Sequence, residues 1–252
     1  ALVQIGLEHE GAGRLDGRPR GWVRFWEGRL RLLYSDNKEA MASLAQALEA
    51  GQGDLQLEAK CLWRLGDAYL RVSEYEAARR RYEEALAIYQ EIGDRLGEAN
   101  CIQRLGGVYL RLSEYKAALE RYEEALTIYR EIGNHLGEAS CIKELGGVYR
   151  RLSEYREARA RYEEALAIYL KIGNRLEETS CIRGLGDVHL EMSEYGEARA
   201  RYEEALAICR EIGDRLGEAI SIKGLGDVHL GMSEYREARA RYEEALAIYR
   251  EI

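Results

Sequence analysis

Residues 180–212 read SCIRGLGDVHLEMSEYGEARARYEEALAICREI, and residues 220–252 read ISIKGLGDVHLGMSEYREARARYEEALAIYREI. The two stretches differ at six of 33 positions. The same pattern recurs upstream, and its central glycine falls forty residues apart at Gly66, Gly106, Gly146, Gly186 and Gly226. A fixed period between about 20 and 50 residues is typical of stacked supersecondary units and not of one globular core. The period therefore determines the predicted fold class.

Each copy predicts two amphipathic helices. In the first, which we call helix A, Leu62, Leu65 and Tyr69 recur at helical spacing on one face. In the second, helix B, Tyr82 and Ala85 belong to a continuous apolar stripe. The glycine in the middle of helix A costs about 1 kcal/mol relative to alanine. Its recurrence predicts that helix B approaches helix A closely at that point.

The ends of these helices carry recognisable signals. Gly93 stands where a glycine can end helix B in a left-handed turn. Asp94 follows it, and later copies have Asn134, Asn174 or Asp214 in its place, all of which are suited to cap the next helix A. These signals at the helix ends predict a repeated helix–turn–helix unit.

The pattern resembles the tetratricopeptide repeat. The matching positions, in order, are Leu65-Gly66, Tyr69, Ala78, Tyr82 and Ala85. The family's usual repeat has about 34 residues, so these forty-residue copies, which also lack its terminal proline, resemble the lengthened variant of Pins-type adaptors and STAND or NLR-like signalling proteins. The resemblance implies an all-α fold, a right-handed α-solenoid of tandem helix–turn–helix units.

Three segments follow from this pattern. Residues 57–252 hold five forty-residue repeats. Residues 20–56 form a divergent capping helix pair, because Gly28, Ala40 and Ala47 keep the spacing of the later copies. Residues 1–19 are an N-terminal segment, with membership of a preceding helix as one interpretation.

Composition narrows the functional class. The net charge is −8, which argues against a nucleic-acid partner, and no run of 18 apolar residues predicts a membrane span. Cys61, Cys101, Cys141 and Cys181 occupy one position in successive copies. Stacked helices are about 10 Å apart, too far for a disulfide or for shared zinc ligation. We expect buried thiols, no metal, no cofactor and a cytoplasmic location.

Catalytic patterns are missing from the sequence. The four histidines, His9, His135, His189 and His229, are scattered, and no nucleophile has a nearby histidine and acid in pattern. We therefore expect a non-catalytic protein.

The copies differ mainly on the polar face of helix A, whereas Arg-Tyr-Glu-Glu-Ala-Leu of helix B is constant. The resemblance implies that helix A lines the concave inner groove, so we predict that this variable face binds the ligand. The predicted groove positions are Lys60, Trp63, Arg64, Asp67, Arg71, Asn100, Gln103, Arg104, Arg111, Lys143, Glu144, Arg150, Arg151, Arg183, Asp187, Lys223 and Asp227.

The predicted groove carries a gradient of charge. Its first two-thirds are rich in arginine and lysine, whereas Ile220, Gly224 and Gly231 make the last part smaller and more apolar. Arginine pairs well with carboxylates. We expect a protein or peptide partner, specifically an acidic peptide or helix.

Three alternatives for the biological role remain open. The array is a ligand-sensing part of a larger NLR or STAND-like signalling protein, a standalone Pins-type scaffold, or an RNA-binding helical repeat. The last helix B, roughly residues 235–252, has no following helix A in this sequence. We therefore expect either that another copy follows in a longer parent protein or that the chain self-associates at that helix.

Overall fold

The computed structural model describes residues 18–34 and 36–252. This part of the chain holds twelve α-helices and no strand, which confirms the all-α prediction. The helices are α1 Arg18–Leu33, α2 Asn37–Ala50, α3 Leu55–Arg71, α4 Tyr75–Glu91, α5 Arg95–Arg111, α6 Tyr115–Glu131, α7 His135–Arg151, α8 Tyr155–Ile172, α9 Arg175–Glu191, α10 Tyr195–Ile212, α11 Arg215–Gly231 and α12 Tyr235–Tyr249. Residues 1–17 of the predicted N-terminal segment lie outside the described residues. The last two residues of that segment belong to α1, which begins at Arg18.

The chain forms two compact units, residues up to Ile128 and residues Tyr129–Ile252, which we call unit 1 and unit 2. In unit 1, each of the helices α1 to α5 packs on the next, and in unit 2 the same holds from α7 to α12. The odd-numbered helices are helix A and the even-numbered helices are helix B. Helix α1 also contacts α3, and α9 contacts both α7 and α11. Neighbouring A helices therefore lie side by side within each unit.

The helix A start signals act as predicted. The side-chain oxygen of Asp94 accepts a hydrogen bond from the backbone N–H of Gly97 at 2.8 Å, and Asn134 accepts one from Gly137 at 2.9 Å. Gly93 has a φ of 71°, in the left-handed region. These local bonds satisfy N–H groups that a helix end would otherwise leave without a partner.

Helix A meets helix B at the repeated glycine. A Cβ atom on Gly66 would lie 2.6 Å from Cε1 of Tyr82, a ring that is fully buried. Ala78 and Ala85 on α4 are also fully buried. The predicted close approach is confirmed, and the tyrosine ring of helix B is the group that requires it.

The turn from helix A to helix B holds a serine in the left-handed region of backbone conformation. Ser73 and Ser113 have φ angles of 62° and 61°, and the equivalent serines in later copies behave alike. Non-glycine residues are uncommon in this region because Cβ crowds the backbone. Only the three-dimensional path between two closely packed helices reveals this requirement.

The divergent N-terminal helices form a pair of the same kind. Phe25 and Leu32 of α1 and Leu44 of α2 pack in one cluster with Leu57 and Leu65 of α3. At the predicted boundary between residues 56 and 57, the divergent helix pair gives way to the regular repeats. The division of the chain into domains at this boundary stays a prediction. The division of the chain into two compact units falls at residues 128/129, within the sequence of α6.

Two further findings concern composition. The five cysteines are free and buried, and burial raises the pKa of the Cys61 thiol to about 12. Within residues 18–34 and 36–252, no helix is long and apolar enough to cross a membrane.

Candidate functional site

The A helices of unit 1 hold a charged cluster around the indole ring of Trp63. The guanidinium carbons of Arg64 and Arg104 lie 4.3 Å and 5.8 Å from the ring centroid. Asp67, one turn further along α3, accepts a hydrogen bond from the Tyr82 hydroxyl at 2.8 Å. Arg64 Nη1 donates to this carboxylate at 3.2 Å, and Arg104 Nε lies 3.6 Å from it. One carboxylate therefore serves two arginines and a buried tyrosine.

The cluster carries more positive than negative charge. Burial lowers the pKa of Arg64, and the nearby Arg29 and Arg104 act in the same direction, against the effect of Asp67. Nε of Arg64 and Nε1 of Trp63 are buried and have no hydrogen-bond partner among the described residues. Because like charges and desolvation both disfavour a charged guanidinium, additional negative charge at this site would be stabilising.

The other predicted positions of unit 1 have different surroundings. Lys60 Nζ lies 5.2 Å from the centroid of the Trp22 ring. Arg71 Nη1 donates to the backbone carbonyl of Leu32 at 2.6 Å, near the end of α1, so it also holds α1 against α3. Arg111 is exposed and forms no ion pair with a described residue. Half-buried positions on α5 are Asn100 and Gln103.

In unit 2, Lys143 is matched by acids. Its ammonium donates to Glu177 on α9 at 2.8 Å and lies 3.5 Å from Glu144. Burial opposes the charge of Lys143, but the two carboxylates outweigh it and raise its pKa. The ammonium is therefore a fully neutralised group.

Arg150 is matched in the same way. It donates to Glu191 at 2.6 Å and lies 3.6 Å from Asp187. Burial again opposes the charge, but Asp187 and Glu191 raise the pKa of the guanidinium. Asp187 also accepts a hydrogen bond from Tyr202 at 2.6 Å. The cationic character predicted for this stretch is thus largely cancelled at Lys143 and Arg150 by carboxylates of α7 and α9.

A depression of about 280 Å³ opens on the A helices of unit 2. Its walls include Glu144 of α7, Arg183 and Asp187 of α9, and Ile220 of α11, with Tyr162 of α8. The structure therefore brings together predicted positions from two consecutive repeats of this unit, with Ile220 of the following repeat beside them.

The remaining predicted positions do not share one environment. Arg183 Nη1 lies 3.3 Å from Thr179 Oγ1. Arg151 is exposed and has no ion pair within the described residues. Lys223 donates to Asp227 at 2.7 Å, and Asp227 accepts a hydrogen bond from Tyr242 at the same distance. Lys223 and Asp227 therefore satisfy each other within α11.

The sequence model described as Tetratricopeptide repeat matches residues 58–131, 98–171 and 178–251. The chain belongs to the tetratricopeptide repeat family. No curated protein matches it in sequence.

Solved structures of tetratricopeptide repeat and Rap-like proteins share the fold at low sequence identity. The STAND protein with a tetratricopeptide repeat sensor from Pyrococcus horikoshii has a TM-score of 0.77 and is 19% identical, over 98% of this chain and 38% of that one. NprR in complex with its cognate peptide NprX has a TM-score of 0.74 and 15% identity, over 98% and 72%. A Rap protein complexed with competence and sporulation factor has a TM-score of 0.73 and is 15% identical, over 94% of this chain and 77% of that one. At these identities the likeness shows the fold alone.

Sequence reasoning did not identify the helix B tyrosines as part of this surface. In the tetratricopeptide repeats of this chain, the position after the central glycine is Asp67, Gly107, Gly147, Asp187 or Asp227. The aspartates at this position accept hydrogen bonds from the tyrosine hydroxyls of helix B. The alternation between aspartate and glycine at this position is the sequence signal that could have identified these tyrosines.

The end predicted to be small and apolar is partly filled. Gly224 lies against the ring of Tyr202, and Gly231 lies against the ring of Tyr195. The space left by these glycines is therefore occupied by tyrosine rings of α10.

Proposed function

We propose that this tetratricopeptide repeat chain is a non-catalytic interaction module that binds an acidic segment of a protein or peptide. The binding surface is formed by the A helices, the side predicted to be concave, and the acidic preference belongs to unit 1. The observation that carries the proposal is the arrangement of Arg64 and Arg104 around Trp63 with one shared carboxylate, Asp67. A peptide carboxylate would add the negative charge that this cluster lacks.

The contrast with unit 2 supports this placement. There, Lys143 and Arg150 each contact two carboxylates, and their pKa values are raised. In unit 1 the pKa of Arg64 is lowered. Arg111, on the next A helix of unit 1, is exposed without an ion pair to a described residue and adds a further cation. An acidic ligand therefore has most to gain at unit 1.

The structural neighbours favour a peptide ligand. NprR was crystallised with its cognate peptide NprX, and a Rap protein with competence and sporulation factor. Their shared fold presents stacked helices that can hold an extended or helical segment. We extend this mode of binding to the present chain as part of the proposal.

Fluorescence anisotropy with a fluorescein-labelled hexaglutamate peptide tests the proposal. We expect binding that weakens as salt rises, because exposed charge pairs are screened. Arg64→Gln and Arg104→Gln should each weaken binding by about three- to ten-fold, as loss of a partly exposed ion pair implies.

Arg80→Gln is the matched control, since Arg80 is an exposed arginine on helix B of the same repeat. It should leave binding unchanged. If all three variants bind hexaglutamate like the parent chain, the acidic site is not on helix A of unit 1. Tighter binding of oligouridine than of hexaglutamate would favour the RNA alternative instead.

For the biological context, we propose a sensor region of a longer cytoplasmic signalling protein of the STAND type. The STAND structure from Pyrococcus horikoshii supports this because the similarity extends over 98% of the present chain and only 38% of the STAND chain, which continues beyond the matched region. An NTPase module encoded in the same reading frame would agree with the proposal. A reading frame that encodes only the repeats would favour the standalone scaffold.

We also propose that a second copy of the chain packs on α12. In α10, Tyr202 and Leu206 are buried against Ile222 and Leu225 of α11, whereas the equivalent Leu246 of α12 is 47% exposed. Equilibrium sedimentation should show a concentration-dependent dimer that Leu246→Lys abolishes. A monomer at all concentrations would contradict self-association.

A further inference from the structure

The depression in unit 2 is lined by two glycines at positions that carry longer side chains in other repeats. At the position of Gly147, repeats with an aspartate close the equivalent junction by a bond to tyrosine, as Asp67 does with Tyr82 at 2.8 Å. A Cβ atom on Gly147 would instead lie 3.6 Å from the Tyr162 hydroxyl, with space beyond it. The aspartate that fills this place in other repeats is absent.

The facing helix A is also reduced to glycine at this junction. Gly184 occupies the position held by Arg64, Arg104 and Glu144 in the first three repeats. A Cβ atom there would lie 2.7 Å from the ring of Tyr162. The Tyr162 ring therefore takes the place of the long charged side chains of the first three copies, and the depression of about 280 Å³ is lined by this ring and by both glycines.

The walls of this pocket have a definite chemical order. Two cations, Lys143 and Arg183, line the pocket, and Arg150 contacts Asp187 from outside the lining. The side chains of Lys143 and Arg150 lie deep, 18% and 22% exposed, and Arg183 Nη1 lies 3.3 Å from Thr179 Oγ1. The carboxylates lie nearer the surface, with Glu144 36% and Asp187 40% exposed. Lys143 and Arg150 together contact four carboxylates, so that carboxylates still exceed cations by one when Arg183 is included.

An apolar wall accompanies these carboxylates. Ile220 of α11 and the ring of Tyr162 line the same pocket as Glu144 and Asp187. Long basic side chains combine an aliphatic stem, which packs on apolar surface, with a charged head that binds carboxylates. A pocket that offers both surfaces is matched to that type of side chain.

We propose that this pocket receives the side chain of an arginine or lysine residue presented by a bound peptide or protein segment. The aliphatic stem packs between Ile220 and Tyr162, and the cationic head binds Glu144 and Asp187. The inference rests on the proposed function in that the side chain belongs to a segment lying on the A helices. It adds a second subsite, opposite in charge preference to that of unit 1.

The test uses blocked tripeptides as probes and NMR of the ¹⁵N-labelled chain as the readout. Acetyl-Ala-Arg-Ala-amide should shift the backbone amide resonances of Gly147 and Gly184 in a saturable manner. The norleucine tripeptide keeps the aliphatic stem and lacks the charge, and the glutamate tripeptide carries the opposite charge. We expect the norleucine probe to bind at least about five-fold more weakly and the glutamate probe to cause no saturable shift.

Variants of the chain locate the binding. Gly147→Leu should fill the pocket and abolish the response, whereas Gly107→Leu makes the same change at the same repeat position in unit 1 and should preserve it. Glu144→Gln and Asp187→Asn should each weaken binding of the arginine probe by about three- to five-fold. Circular dichroism of every variant checks that the helices are intact.

The proposal is overturned if the arginine probe causes no saturable shift, if the norleucine or glutamate probe binds equally well, or if Gly147→Leu retains the parent affinity. Its failure is separable from that of the proposed function. Hexaglutamate binding depends on Arg64 and Arg104, and the arginine probe depends on Glu144 and Asp187. Loss of one response with retention of the other identifies which subsite was assigned wrongly.

Discussion

The contact between Gly66 and Tyr82 permits a quantitative test of the packing within a repeat. Gly66→Ala adds a single methyl group whose carbon would lie 2.6 Å from Cε1 of Tyr82. The ring has no exposed surface, and its hydroxyl is tied to Asp67. It therefore cannot move without disturbing both the packing and the hydrogen bond.

Three free-energy contributions determine the expected result. Overpacking a dense core costs about 1–3 kcal/mol, and weakening the hydrogen bond to Asp67 costs about 1 kcal/mol. Replacing glycine by alanine within a helix returns about 1 kcal/mol. We therefore expect Gly66→Ala to lower the free energy of unfolding by about 2 kcal/mol.

Two other glycines of the same chain provide matched controls. A Cβ atom on Gly146 would lie 3.2 Å from the Tyr162 ring, and one on Gly147 would meet only the Tyr162 hydroxyl at 3.6 Å. Gly147→Ala lacks the clash and should raise the free energy of unfolding by about 0.5–1 kcal/mol. Gly146→Ala should fall between the two.

Urea denaturation followed by circular dichroism at 222 nm measures the order of the three variants. Hydrogen exchange shows which helices lose stability, because a substitution in a repeat array acts mainly on its own repeat and the neighbouring ones. Protection should fall in α3 and α4 for Gly66→Ala. If Gly66→Ala were as stable as the parent chain, or less perturbing than Gly147→Ala, steric contact with Tyr82 would not explain the repeated glycine.

Other predictions address the thiols, the turns and the caps. The five buried cysteines should resist a thiol reagent at pH 8 and should all react in guanidinium chloride. The raised pKa of Cys61 implies a contribution to stability that is complete below the pKa of the unfolded thiol and is lost as pH rises towards about 12. Alkaline denaturation of Cys61→Ala and of the parent chain would reveal this loss. Ready labelling of the native chain would contradict this. Ser73→Gly should raise the free energy of unfolding by about 0.5 kcal/mol, because relief of the left-handed serine exceeds the added chain entropy, and an unchanged or lower urea midpoint would count against such strain. Asp94→Ala should lower the free energy of unfolding by about 1 kcal/mol through loss of the cap on α5, with Asp94→Asn as the control that keeps a capping oxygen; equal losses in both variants would rule out capping as the cause.

Local features of the sequence predicted the helices well. Gly93 and Asp94 lie where they were expected to end one helix and begin the next, because capping involves only neighbouring residues and backbone groups. The glycine at position 66 predicted a close helix contact. The sequence did not identify Tyr82 as the contacting group, since that depends on which side chain of helix B lies opposite.

The charges of the candidate site were less predictable. The formal charges of Arg64 and Lys143 are alike in the sequence, yet burial and neighbouring arginines lower the pKa of Arg64, whereas Glu144 and Glu177 raise that of Lys143. Glu177 lies 34 residues away in the chain. Partners at such separations are set by the packing of one repeat on the next and cannot be read from a single helix face.

The forty-residue period alone determined the all-α class, the helix pairs and the family, because periodic apolar residues and caps act over a few residues and are repeated in every copy. Tertiary structure alone decided which cations remain unbalanced and where a pocket opens. Both depend on distances between side chains of different helices: Arg64 and Arg104 share the carboxylate of Asp67, which leaves the cluster around Trp63 with excess positive charge, and the pocket in unit 2 opens where Gly147 and Gly184 lie beside Tyr162.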